Sequence, residues 1–132
     1  MDNRDLLKLA EKAREFSYSP YSKFRVGAAL LTKSGKVYTG CNIECASFGG
    51  TNCAERTAVF KSISEGDLDI EKIAIASDNS EKNLPTYPCG ICRQVILEFG
   101  TDISIITGFS NGDIIEEKIG DLLPNYFSGD EF

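Results

Sequence analysis

"TNCAERTAVF", residues 51–60, holds a helix and a piece of chemistry in the same ten positions. Ala54, Ala58, Val59 and Phe60 fall at helical spacing and can face a core. Asn52 stands where a helix cap belongs, so the helix is predicted to run from about Cys53 to Ser64. Cys53 and Glu55 flank Ala54 in the first turn. A carboxylate there is favoured by the helix dipole, and taken alone that is the plainer reading of Glu55. The thiol beside it asks for a second reason.

Working outward, residues 3–17 read as an amphipathic helix with Leu6, Leu7, Ala10, Ala13 and Phe16 on one side, and "SYSPYS" ends it. "RVGAALLT" (25–32) and "KVYTGCNIE" (36–44) flank "KSG", a hairpin pattern. "CASFGGTN" (45–52) is a loop, "EKIAIASD" (71–78) a strand, and residues 89–99 a helix with Val95, Ile96 and Phe99 inward. "DISIITGF" and "GDIIEEKI" are two more strands around "SNG", with a short helical turn at "IGDLLP". The order α-β-β-α-β-α-β-β points to an α/β fold of three layers, a five-stranded sheet covered by helices on both faces. The whole chain, 1–132, reads as one domain. Both cysteine-bearing helices follow a strand and a loop, so their N-termini are expected to converge at one sheet edge.

The charge balance, 14 basic against 20 acidic residues, gives −6, and the basic residues are dispersed among acids. That disfavours a nucleic-acid partner, which calls for a basic stripe. Apolar runs stop far short of a membrane span. The charged start "MDNRDLLKLAEKAREF" is unlike a signal peptide, so a cytoplasmic location is expected.

The chain has no histidine, which removes Ser/His and Cys/His catalysis. A transition-metal site must therefore use thiolates and carboxylates. The five cysteines are 41, 45, 53, 89 and 92, an odd count that argues against a disulfide framework. "PCGIC" (88–92) fits a redox pair or half of a zinc site. Cys53 is the natural third ligand. Three thiolates leave one tetrahedral position open, as catalytic zinc does; Cys41 or Cys45 could instead close a structural site. Glu55 favours the open site. A carboxylate two residues past a ligand can take a proton from metal-activated water and pass it to substrate, whereas a closed site has no use for it.

"CAE" (53–55) followed by "PCGIC" has the ligand-x-Glu and Pro-Cys-x-x-Cys pattern of the zinc nucleobase deaminases. With "SPYSKFRVGAALLTKSGKVYTGCNIE", "CAERTAVFKSISEGD", "PCGICRQVILEF" and "LLPNYFS", nearly the whole chain resembles the small homotetrameric cytidine deaminases. The resemblance implies a mixed five-stranded sheet and one Zn²⁺ per subunit. It also implies hydrolysis of cytidine and deoxycytidine to uridine and deoxyuridine, in pyrimidine salvage. By position it makes Cys53, Cys89 and Cys92 the zinc ligands and Glu55 the proton shuttle. Arg56 becomes a donor toward ligand sulfur. The Ala54 N–H would hold the pyrimidine carbonyl, Asn42 and Glu44 the ribose hydroxyls, and Phe24 the base. Phe127 would reach into a neighbouring subunit's pocket. Cys45 and Phe48 stand where the family commonly has asparagine and tyrosine, a departure on the sugar side. A deaminase of a related cytosine nucleoside such as blasticidin is the nearest rival, and a structural-zinc module or a thiol redox protein the rivals of other classes.

Overall fold

Burial along two strands sets the layers. In β1 (Val26–Thr32) every residue after Val26 is buried, so the strand is covered on both faces. Because side chains alternate, Ala28 and Leu30 join one core, Ala29 and Leu31 another. In β3 (Ile70–Ser77), Ile73 and Ile75 take the first side, Ala74 and Ala76 the second. A computed structural model describing residues 1–132 shows what covers each side. Helix α1 (Asn3–Arg14) lies on the second with Leu6 and Ala10. On the first lie α2 (Ala54–Ser64), α3 (Gly90–Leu97) and the short α4 (Ile119–Leu122), through Ala58, Val59, Ile96 and Ile119. The remaining strands are β2 (Val37–Cys41), β4 (Ser104–Gly108) and β5 (Ile114–Lys118). Emptying a fully buried position such as Ile73 or Ile75 to alanine costs about 2–5 kcal/mol.

The sheet order is β2-β1-β3-β4-β5, with β3 and β4 parallel and the other pairs antiparallel. This is the three-layer α/β/α fold with a mixed five-stranded sheet. Since β1 runs against both β2 and β3, those two strands point the same way. Helix α2 follows β2 and α3 follows β3, so both helix N-termini rise at one edge. The start of β1 lies there too, with Val26 opposite Ser77 and Gly27 opposite Cys41. Ligands of open α/β sheets bind at such carboxyl ends.

Two glycines let the helices come down onto the sheet. A Cβ on Gly40 would lie 2.6 Å from the Ala58 nitrogen and 2.7 Å from the Ala54 oxygen, so β2 must be bare where α2 crosses it. A Cβ on Gly27 would meet the Ala10 oxygen at 2.1 Å, the same device under α1.

Some sequence expectations need correction. The first helix ends at Arg14, and Phe16 lies beyond it, 74% exposed. The N-cap of α2 is Cys53, not Asn52, whose amide instead donates to Thr57 Oγ1 at 3.1 Å. Phe60 is 49% exposed, since Ala58 and Val59 already fill the inward face. Cys41 is half-buried. No helix is long and apolar enough to cross a membrane.

Candidate metal centre and substrate pocket

Both cysteine-bearing helices begin alike. Cys53 caps α2 and Cys89 caps α3, each with extended backbone and neither with a side-chain cap hydrogen bond. Their sulfurs are thus left for another partner. Cys92, one turn into α3, is buried and turns toward them. The three Sγ atoms lie within 4.8 Å of one another, with Cys53 and Cys89 3.8 Å apart. A tetrahedral zinc with bonds of about 2.3 Å sets its sulfurs about 3.8 Å apart, so the cluster fits that ion in spacing and in donor type. Cys41 and Cys45 stand outside the cluster. Cys45 is exposed, and its thiol donates to the Ser47 carbonyl at 2.8 Å.

The charges around the cluster suit a thiolate. A hydrogen bond from the Cys92 thiol brings Cys53 down to about 5; burial opposes this, and the Arg56 guanidinium adds to it. Cys92, as the donor of that bond and a buried group, is pushed up. Arg56 Nη2 donates to Cys53 Sγ at 3.3 Å. Burial works to lower the Arg56 pKa, but its bonds to Cys53 and Cys92 outweigh this and hold it above the ordinary range. Arg56 Nε is buried with no partner at all. A guanidinium so placed can offset the negative charge that three thiolates would bring to one dication.

Glu55 is 4% exposed. Burial pushes its carboxyl up to about 7; the Cys53 thiolate adds to this, while its own backbone N–H and Arg56 pull the other way. A carboxyl poised there can both take and give a proton near neutrality. Ala54 is fully buried at the first helical position, where a backbone N–H has no partner within the helix.

Beside this cluster, Asn42 and Glu44 hold the chain that leads into β1. Asn42 Nδ2 donates to the Phe24 carbonyl at 2.8 Å, and its Oδ1 accepts from the Val26 N–H at 2.9 Å and from the Ser17 hydroxyl. Glu44 Oε1 accepts from the Tyr21 and Ser22 N–H groups at 2.9 and 3.1 Å, and Oε2 from the Ser22 hydroxyl. Those bonds hold its carboxyl below the ordinary value, the Ser22 hydroxyl first. The turn they brace includes Lys23 in left-handed backbone at φ 58°, and delivers a half-buried Phe24 to the edge. Asn42 keeps one amide N–H and Glu44 one lone pair for a ligand. Tyr21, Ser22, Glu44, Phe48 and Thr51 line a hollow of about 390 Å³, with Phe48 edge-to-face against Tyr21 at 5.8 Å. Phe127 is 57% exposed and packs edge-to-face on Phe132.

The chain is similar throughout to characterised families. Residues 1–107 match the cytidine and deoxycytidylate deaminase zinc-binding region. The chain belongs to the cytidine deaminase family. It is similar to the cytidine deaminase of Halalkalibacterium halodurans, 49% identical over 132 residues that cover 99% of this chain and 98% of that one. The crystal structure of cytidine deaminase from Burkholderia pseudomallei superimposes with a TM-score of 0.89 at 43% identity, over 96% of this chain and 100% of that one. A blasticidin-S deaminase from Bacillus cereus is more distant, 31% identical over 89% of each chain. Like the rest of this family, the chain is a zinc-dependent hydrolase with one zinc site, and Cys53, Cys89 and Cys92 are the group that could hold the ion.

Other residues of this edge carried no signal in the sequence. Asp78 accepts from the Arg25 backbone N–H at 2.9 Å and pairs with the Arg25 guanidinium at 3.0 Å, pinning the segment after Phe24 to the end of β3. Arg93 and Gln94, which follow Cys92, donate to backbone carbonyls. A polar residue one or two positions from a motif looks the same whether it bonds a ligand or a distant carbonyl.

Proposed function

We propose that residues 1–132 act as one cytidine deaminase domain, replacing the C4 amino group of cytidine and deoxycytidine with oxygen from water and releasing ammonia. The observation that carries this is Glu55: a buried carboxyl titrating at about 7, two residues from one thiolate of a three-sulfur cluster. Cys53, Cys89 and Cys92 are the zinc ligands. Bound zinc supplies a Lewis acid that makes hydroxide available near neutral pH. Glu55 takes a proton from the attacking water and delivers it to N3 of the ring, then takes the remaining proton from the new C4 hydroxyl and passes it to the amine, which departs as ammonia as the C4 carbonyl forms. The Ala54 N–H holds the pyrimidine carbonyl, and Phe24 packs on the base. The free N–H of Asn42 and the spare lone pair of Glu44 meet the ribose hydroxyls.

The 49% identity to the Halalkalibacterium halodurans cytidine deaminase, against 31% to the blasticidin-S enzyme, supports cytidine and deoxycytidine as substrates. The active form is a homotetramer in which Phe127 completes a neighbour's pocket. Its exposed ring suits such a contact, and light scattering would test the assembly. The enzyme works in the cytoplasm, in pyrimidine salvage. Ultraviolet-monitored turnover of cytidine, deoxycytidine, adenosine and blasticidin, with and without a chelator, tests the reaction. Chelator-sensitive loss of the first two is expected, and turnover of blasticidin alone would overturn the assignment.

A further inference from the structure

In "PCGICRQ" (88–94), the residue after the last cysteine reaches back across its own helix turn. Arg93 Nε donates to the Pro88 carbonyl and Nη1 to the Leu122 carbonyl, both at 2.7 Å. The Pro88 carbonyl belongs to the peptide that joins Pro88 to Cys89, so holding its oxygen fixes the plane from which Cys89 projects. Leu122 is the last residue of α4, where carbonyls have no helical partner. One planar guanidinium thus spans two backbone acceptors with charge-assisted bonds. Segment α4 is in turn tied to the turn that leads into β4: the Ile119 N–H donates to the Ile103 carbonyl at 2.9 Å, and the Gly120 N–H to that of Thr101 at 3.1 Å.

Cys89 needs such an anchor more than its partners do. Cys92 is buried within α3, and Cys53 is gripped by Arg56. Cys89 is exposed and caps its helix with no side-chain bond to the helix backbone. We propose that Arg93 is a positioning residue for the metal centre, clamping the Pro88–Cys89 peptide to α4 so that the most exposed thiolate stays on zinc. It acts through Cys89 and touches neither metal nor substrate. The inference rests on the three-thiolate zinc site proposed above.

The test is the rate at which zinc-loaded protein gives up its metal to excess 4-(2-pyridylazo)resorcinol, read by absorbance. Arg93→Met keeps the stem and loses both bonds, and is expected to release zinc about tenfold faster or more. Arg93→Lys, a compact ammonium without the fork, should fall between it and wild type. Asp78→Asn loosens the same edge without touching Pro88 and should release zinc at the wild-type rate. Wild-type release from Arg93→Met, or equal acceleration by Asp78→Asn, would overturn the clamp and leave the zinc site standing. If Arg93→Met does not fold, Arg93→Lys decides by the same comparison. A wild-type chain that binds no zinc would sink the site and the clamp together.

Discussion

The thiolate cluster and the Asn42–Glu44 turn lie side by side at one sheet edge, yet their polar groups are used in opposite ways. Around the sulfurs, burial is only partly offset: Arg56 Nε has no partner, and the Glu55 carboxyl, helped by its own backbone N–H and the Arg56 charge, still has its ionisation opposed by burial. In the turn, nearly every polar atom of Asn42 and Glu44 already bonds the chain's own backbone or serines. A buried group without a partner costs stability, so the first region keeps its cost for the sake of a ligand. The second region is mostly scaffold, offering a ligand only what remains. Residues of both regions contact substrate in the proposed reaction, but their removal should fail in different currencies: turnover in one, folding in the other.

The largest expected effect is at Glu55. Glu55→Gln should cut turnover by about 10²–10⁴-fold while zinc content, measured by atomic absorption, stays at one per chain. Near-normal turnover in the zinc-loaded variant would end the proton-shuttle assignment and, with it, the contrast. Next is Asn42→Ala, which strands the Val26 N–H and the Phe24 carbonyl and should cost about 2–4 kcal/mol in urea unfolding. A stable Asn42→Ala protein with only a raised KM would turn the scaffold into a pure binding site.

Asp78 tests the scaffold from the other end. Burial alone would raise its carboxyl, but the bonds and charge of Arg25 hold it below 3.8. A depressed acid contributes stability that is present above its ordinary value and lost as pH falls through the lower folded one. Asp78→Asn should therefore lower stability by about 1 kcal/mol at neutral pH, since the pair is partly solvated, with the deficit closing below pH 3.8. A constant deficit across that range would assign the effect to packing. Smallest of all, Cys45→Ser keeps the bond to the Ser47 carbonyl and should change stability by less than about 0.5 kcal/mol. Any loss of zinc in that variant would bring Cys45 into the metal centre.

Much of this edge was legible from local pattern. Cys53, Glu55 and "PCGIC" are close in sequence to the helix starts that present them, so motif and element arrive together. Phe16, Phe60 and Asn52 were misread because helical spacing names a face without saying where the partner surface stops. At Phe60 the core is already filled by Ala58 and Val59; at Asn52 the cap position is taken by Cys53, whose sulfur faces the thiol cluster.

What the sequence determined by itself is the chemistry on offer: five thiols, a carboxylate two residues past one of them, no histidine, and helices whose starts carry Cys53, Glu55 and "PCGIC". Residue type and local spacing are enough for that, because ligand identity and helix-start position are properties of short segments. What only the tertiary structure decided is which of the five cysteines meet, and which polar groups stay free for a ligand. Both depend on β2 and β3 running in the same direction, on Gly40 letting α2 settle against the sheet, and on side chains such as Arg25 and Arg93 reaching carboxylates and carbonyls up to 53 positions away. Those contacts are set by the packing of whole layers, and no short stretch of sequence encodes them.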